Sequence, residues 1–513
     1  MPGHHTSAFA FVPFLLVAAS LPAQGVLALQ RSFHLGAYSG SIDAPSGALE
    51  LASGIGSADL AANGSFGGHL DLMTLDASGA TFTPNDPFGG LYSVAPDGTV
   101  WMDLDPAHPG SNIGVLWTDA AGSVMHSARF GTDENAFAMV AIAKSTGMSN
   151  ASVSGTYYYT GQGLEFVGGT WHTWAHWGLA TFDGAGNASI VGSEQSATPT
   201  GSTTVPATDN FTYTIAADGG AMINNDLGAV SSDGNLLFVV TQQAANSGVG
   251  ITIGVRVGSS YDLQQLAGRF SLTGLRFTLG TGIALPRTTS EFDDVQLTGF
   301  GPGSGAWTNA GIVIEGTSLG QTQTTPPAGG SATLTGSGVL TLADAAGTIE
   351  LGVAANGRYA VGRRVGGATN VMFALRQCPP AFAYGSATAG TGGVPPSLGM
   401  RGFPTLGNGN WRLRVDGGIG GGIGVVGIGF APAPGVPALG GLIWIDPTNA
   451  FLPLLLLGGA SGQAGAGSGE VGVVIPNVPS LEFVRLDAQA LVLDPATPAG
   501  FSMSGGFEAR LCR

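Results

Sequence analysis

The stretch from Tyr213 to Val257 constrains the fold more than any other. Apolar and small polar residues alternate there, Asp218-Gly219 interrupts them, and Asp233-Gly234 breaks a second run. Two strongly β-prone runs follow, Leu236–Thr241 and Gly250–Val257. Alternation with Asp-Gly between the runs is the strongest short-range hairpin signal a sequence carries. The same grammar recurs. Tyr92–Gly98 (YSVAPDG) matches Tyr213–Gly219, and Leu116–Gly122 (LWTDAAG) matches Ala229–Gly234. Ala136–Ser145 matches the closing strand. In a third copy the counterparts are Leu340–Gly347 (LTLADAAG), Val353–Gly357 (VAANG) and Asn370–Gln377. The chain therefore reads as three degenerate copies of one antiparallel meander, followed by something different. This grammar specifies architecture and no biochemical activity.

The copies are placed at 29–147, 150–262 and 264–377, with a last module at 380–513. Copy two opens with Gly155–Gly161 (GTYYYTG) and copy three with Gly268–Gly274 (GRFSLTG). Such spacings are too long for a solenoid. Each copy carries about eight short strands at sandwich or barrel spacing. A meander whose first and last runs are both β-prone can close on itself and remove its edges. The expected fold is all-β, with three tandem antiparallel meander barrels, or open sandwiches, and a C-terminal β-sandwich. Glycine supplies 87 of 513 residues, which disfavours long helices at about 1 kcal/mol per glycine relative to alanine. Gly320–Ser331 (GQTQTTPPAGGS) has no apolar anchor and reads as an exposed loop inside copy three.

Charged residues make up only 10% of the chain, Lys144 is its one lysine, and the net charge is −16. A scattered polyanion repels nucleic acid and anionic lipid, so neither is an expected partner. The N-terminus has a short apolar core, Ala8–Leu21, followed by small residues, which is the outline of a secretory signal peptide within residues 1–28. No later apolar run reaches the roughly 20 residues of a spanning helix. The expected location is secreted or cell-surface. The two cysteines, Cys378 and Cys512, then suggest one disulfide. Closing so long a loop is worth roughly 5 kcal/mol in the chain-entropy picture.

Two resemblances follow from motifs. The G-T-Y opening of copy two and its TFDGAGN hairpin, Thr181–Asn187, resemble a module recurring in bacterial secreted proteins. In the last 130 or so residues come Tyr384–Val394, Gly402–Asn410, Leu439–Pro447, Ile475–Leu481, Ala488–Pro495 and Pro498–Leu511. This series resembles a C-terminal module repeatedly attached to large exported bacterial proteins. The resemblance implies a β-sandwich with a surface-retention or export role and no catalytic activity. It does not extend to the terminal cysteine.

Candidate chemistry concentrates in Trp171–Trp177 (WHTWAHW). In an extended strand His172, Trp174 and His176 share one face, and Trp171 and Trp177 the other. The two histidines then stand about 13 Å apart, too far for one metal ion. Exposed tryptophans on a β-module can stack on sugars, so Trp171, Trp174 and Trp177 are candidate glycan contacts, against the alternative of a Trp-rich hairpin packed over a barrel mouth. Asp97, Asp183, Asp218, Asp233 and Asn356 sit in turns without the ligand density calcium needs. Asp103 with Asp105, and Asp293 with Asp294, are too sparse as well. No nucleophile elbow, phosphate loop or selectable carboxylate pair is present. No catalytic residue, metal or cofactor is assigned. The expectation is a non-enzymatic exported β-protein of the bacterial surface or matrix, with polysaccharide binding through the tryptophans as the alternative.

Overall fold

The computed structural model describes residues 30–513 except 43–47, 95–98, 105–112, 120–121, 131–135, 244–247, 260, 262, 267, 280–286, 302, 311, 318–319, 327–328, 366–369, 378–380, 402–403, 410, 479–480, 482–483 and 513. The signal-peptide segment, Asp97 and Cys378 therefore lie outside the described residues. The chain separates into two compact units. One holds Leu29–Tyr92 and Val100–Gln377, and the other is chiefly Cys378–Arg513.

The first unit is built of three rings of antiparallel strands. Ring 1 is β1 (Arg31–Ile42), β2 (Leu49–Leu60), β3 (Ser65–Asp76), β4 (Gly79–Val94), β5 (Thr99–Asp103), β6 (Ile113–Thr118), β7 (Val124–Phe130) and β8 (Ala136–Ala143), closed by β8 on β1. Ring 2 is β9 (Ser154–Val167), β10 (Thr170–Asp183), β11 (Asn187–Thr198), β12 (Gly201–Ile215), β13 (Gly220–Ile223), β14 (Asp226–Val230), β15 (Leu236–Gln243) and β16 (Gly248–Arg256), closed by β16 on β9. Ring 3 runs β17 (Gly268–Thr278), β18 (Arg287–Gly301), β19 (Ser304–Asn309), β22 (Gly329–Leu334), β23 (Val339–Asp344), β24 (Gly347–Val353), β25 (Tyr359–Val365) and β26 (Asn370–Arg376). It closes through β26 on β17 and β17 on β18. The barrel reading thus holds over the open sandwich.

Turn hydrogen bonds identify equivalent positions. After the sixth strand of each ring the same pair recurs. Asp119 N–H donates to Val124 O and Gly122 to Asp119; Ser231 to Leu236 and Gly234 to Ser231; Ala354 to Tyr359 and Gly357 to Ala354. The glycine at each turn has a left-handed φ, 61°, 65° and 67° for Gly122, Gly234 and Gly357, which a side chain adopts only under strain. Ring closure repeats too: Lys144, Val257 and Gln377 donate to Ser32, Thr156 and Arg269.

Two expectations for the third copy are corrected. The counterpart of Tyr213–Gly219 is Ala332–Gly338, not Leu340–Gly347. Thr335 and Gly338 make the bonds that Ala216 and Gly219 make in ring 2, and the Thr335 hydroxyl, accepting from Val339 N–H, does the work of an aspartate. Leu340–Gly347 is instead the fifth strand and its turn. Gly320–Ser331 is also not a plain loop. It contains β21 (Gly320–Thr324), paired with β20 (Ile312–Thr317), and the start of β22. The backbone ladder needs no apolar side chain, so the polar run GQTQT pairs as well as an apolar one.

The rings share one core. Its buried members include Tyr38, Leu51 and Val140 of ring 1, Leu164, Phe238 and Ile251 of ring 2, and Phe277, Tyr359 and Phe373 of ring 3. The contacts are cyclic. The first strand of ring 1 packs on the sixth to eighth strands of ring 2, that of ring 2 on the sixth to eighth of ring 3, and that of ring 3 on the seventh and eighth of ring 1. Three head-to-tail copies close the cycle, as three subunits of a cyclic trimer would. An aromatic ring lies on a glycine across each interface: Phe238 on Gly36, Tyr158 on Gly352 and Phe277 on Gly40. A methyl group at any of the three glycines would overlap its ring. Between rings 1 and 3 the fully buried His126 bonds to Ser271 at 2.7 Å and Thr273 at 3.1 Å. Burial pushes its pKa down to about 3, so the imidazole is neutral.

The second unit is a β-sandwich. One sheet is ordered β27 (Phe382–Tyr384), β37 (Gly506–Arg510), β35 (Arg485–Leu493), β30 (Ile423–Gly429), β33 (Leu454–Leu456), with β36 (Phe501–Met503) also on β35. The other is β28 (Ser397–Arg401), β29 (Trp411–Gly418) and β34 (Gly467–Val473), and β31 (Pro432–Ala438) pairs with β32 (Gly441–Ile445). Trp411, Leu413 and Val415 share a core with Val426, Ala488, Ala490 and Val492. Among the described residues the only α-helix is α1 (Leu263–Leu266), four residues long. Among the described residues no helix is long and apolar enough to cross a membrane.

Candidate functional site

Strand β10 carries the whole WHTWAHW segment and presents it as alternation requires. All three tryptophans are half-buried, and each ring has a partner. Trp171 packs against Phe166, with centroids 4.9 Å apart, and against the shared core. Trp177 lies under the Arg363 guanidinium of ring 3, 3.8 Å from its centroid. Trp174 is on the opposite face, inside ring 2, where it stacks against His176 at 5.1 Å. A methyl at Gly163 or Gly250 would strike the Trp174 ring, so these glycines make its room. The three rings do not form one exposed platform.

The face of β10 that carries Trp174 and His176 leads into the lumen of ring 2. The lumen holds a cavity of about 540 Å³, lined from all eight strands. Its size follows from small residues on neighbouring strands. Gly254, Tyr159, Gly178, Gly192 and Ala207 lie side by side across β16, β9, β10, β11 and β12. Only Tyr159 in this belt has bulk. The next belt toward Trp174 is Thr252, Gly161, His176, Glu194 and Val205. Toward the other end Tyr157, Phe182 and Phe211 line an aromatic floor, and Met148 and Val153 of the preceding linker close the apolar cluster beneath it.

One side of the wall is low. Strand β12 pairs with β11 along its length, but with β13 only at Tyr213–Ile215. Strands β13 and β14 have four and five residues. They turn through Asn224 and Asn225, both at positive φ, as a tight hairpin needs. Asp209 of β12 and Asn224 and Asp226 of that hairpin line the cavity there.

The lining chemistry is one-sided. It includes Glu194, Asp209 and Asp226 and no lysine or arginine. Asp226 accepts from the Thr241 hydroxyl at 3.0 Å, and burial holds its carboxyl above the usual carboxylate range. His176 bonds Thr252 at 2.8 Å, and desolvation lowers its pKa to about 4, so it is neutral. Tyr159 is 5% exposed, and its hydroxyl, buried beside Gly192, has no hydrogen-bond partner. Desolvation raises its pKa to about 12.

Ring 3 is the contrast. Phe270, Leu272, Val295, Leu297, Leu342 and Leu351, with Leu266 of α1, leave a void of about 10 Å³. Farther along the lumen-facing row of β18 lie Asp293 and Glu291. Asp293 is fully buried, and desolvation, with Glu291 nearby, pushes its carboxyl well above the usual carboxylate range. Glu291 is paired with Arg364 at 2.6 Å.

The turn aspartates serve turns. Asp183 accepts from the Asn187 side-chain amide and from the backbone N–H groups of Asn187, Ala185 and Gly186, which holds its carboxyl down to about 2. Asp218 accepts from Gly220, Asp233 from Asn235, and Asn356 from Arg358. Asp294 pairs with Arg269 at 2.8 Å. Among the described residues no group of three or more His, Cys, Asp or Glu could hold a metal ion. Cys512 is buried, and no described cysteine is a free thiol; its expected partner, Cys378, lies outside the described residues.

Sequence reasoning singled out His176, which lines the chamber, and its neighbour Trp174, but missed the rest of the lining. Tyr157, Tyr159, Glu194, Asp209 and Asp226 are scattered over β9, β11, β12 and β14. The usable signal was glycine recurring on one strand face, Gly161 and Gly163 on β9 and Gly250 and Gly254 on either side of Thr252 on β16, which marks a face with little side-chain bulk. No protein-family model, curated protein or solved structure matches this chain.

Proposed function

We propose that this is a non-enzymatic, exported β-protein of the bacterial cell surface or matrix that works by holding a small organic ligand in the lumen of ring 2. The observation that carries the reading is the cavity of about 540 Å³ inside a closed eight-stranded barrel. Barrels of this size either fill their lumen with side chains or hold one small ligand. Export is supported by the Ala8–Leu21 apolar core and by the absence of free thiols among the described cysteines. On this reading Cys512 pairs with Cys378, and the C-terminal sandwich retains the protein at the surface. Stacking of polysaccharide on Trp171, Trp174 and Trp177 has less support, because the rings lie on two faces of β10 and each is covered.

The test is a fluorescence titration with the uncharged probe N-phenyl-1-naphthylamine. Saturable enhancement with one site per chain is expected, and Ala207→Trp, which puts an indole into the lumen from a half-exposed strand, should abolish it. No enhancement, or enhancement unchanged by Ala207→Trp, overturns the reading.

A further inference from the structure

The carboxylates of the ring 2 chamber have no answering charge. Glu194, Asp209 and Asp226 all line it, and no lysine or arginine does. Glu194 and Asp209 reach solvent, whereas Asp226 is half-buried, and a carboxylate in such a site is costly unless a cation or several donors meet it. Ring 3 shows how this chain handles buried carboxylates internally: Glu291 is met by Arg364 at 2.6 Å, and burial pushes the Asp293 carboxyl up toward its neutral form. Ring 2 has neither an arginine in the lining nor a cluster tight enough for a metal ion among the described residues. No cluster among the described residues here suits a compact metal ion, whereas an organic cation with some extent can set its charge on the acidic side and its apolar body on the floor.

Two further features fit the same chemistry. The floor is lined by Tyr157, Phe182 and Phe211, and aromatic rings attract desolvated cations, as the Arg256 guanidinium 5.5 Å from the Tyr157 centroid illustrates. Tyr159 is 5% exposed, lines the cavity, and its buried hydroxyl has no partner and can accept from an N–H or polarised C–H donor.

We infer that the ring 2 chamber takes an organic ammonium ion, its charged nitrogen on the side of Glu194, Asp209 and Asp226 and its apolar body against Tyr157, Phe182 and Phe211. The inference rests on the reading of this lumen as a ligand site. Recognition is by charge and shape, with no covalent step.

The test is competition against bound N-phenyl-1-naphthylamine by phenyltrimethylammonium and by its uncharged carbon isostere, tert-butylbenzene. The cation should displace the probe about tenfold more effectively than the isostere, the order expected for a desolvated cation on aromatic faces beside carboxylates. In the Asp209→Asn/Asp226→Asn double variant, with folding verified by circular dichroism, that ratio should fall to about two or less. An equal ratio in the native protein, or a full cation advantage in the double variant, overturns the inference and leaves the ligand chamber standing. If the probe itself does not bind, the chamber reading fails first.

Discussion

Rings 2 and 3 have the same strand order, the same turn after the sixth strand and the same closing hydrogen bond, yet opposite interiors. Ring 3 packs leucines, valines and a phenylalanine into its lumen until about 10 Å³ is left, and it neutralises its own buried charge with Arg364. Ring 2 runs Gly178, Gly192 and Gly254 through the matching zone, keeps about 540 Å³, and lines it with three carboxylates and no lysine or arginine. The scaffold does not require an empty lumen. The emptiness of ring 2 is a property of its side chains, and stability has been given up there. That is the pattern expected where one copy of a repeated module holds a ligand and its neighbour holds the structure.

The sharpest break of this comparison is a matched pair of truncations. Leu351→Ala removes a side chain from a filled core and should cost about 3–5 kcal/mol, read from urea unfolding. Leu237→Ala borders a cavity that already exists and should cost about 1–2 kcal/mol, because few close contacts are lost. The reverse order would mean that the ring 2 lumen is not open.

Next in size is a pH effect at the interface of rings 1 and 3. His126 has a folded pKa of about 3 against 6.5 unfolded. The unfolded chain therefore binds the proton more tightly, and stability is lost as pH falls below about 6.5 until it reaches the folded value. By pH 4.5 the loss should be about 2–3 kcal/mol for this group. His126→Gln should flatten that part of the stability curve, and a curve unchanged by the substitution would contradict the buried neutral imidazole.

Trp174 gives a smaller effect. It is half-buried, and its ring fills the space over Gly163 and Gly250. Trp174→Ala should cost about 1–2 kcal/mol, below the fully buried value, and widen the upper lumen. A melting temperature that does not move, together with loss of binding to insoluble polysaccharide, would restore the glycan reading. The smallest effect belongs to Arg363 over Trp177. Arg363→Gln should cost about 0.5–1 kcal/mol, the scale of a partly exposed cation–π contact, with no change in lumen binding.

How much of this was legible follows from where each signal resides. Turns are local, so Asp218-Gly219, Asp233-Gly234 and Asn356-Gly357 announced themselves. The third copy slipped by one hairpin because Ser337 stands where Asp218 does at the decisive turn. The β20–β21 hairpin was read as a loop because backbone pairing leaves no mark on a run such as GQTQT. The alternation that put Trp174 opposite Trp171 and Trp177 was readable from β10 alone. Their partners were not, since Arg363 comes from another ring and Phe166 from across a strand pair. The chamber was the least legible part. Its walls come from eight strands, and its defining feature is the absence of side chains, which in a glycine-rich sequence looks the same as one more turn.

The most direct test is a crystal of the full chain soaked in an uncharged brominated aromatic such as bromobenzene, with data collected at the bromine edge. The account predicts an anomalous peak inside ring 2, against Tyr159 and Phe211, and none inside ring 3. A ring 2 lumen with no bromine, filled instead by its own side chains, would contradict it.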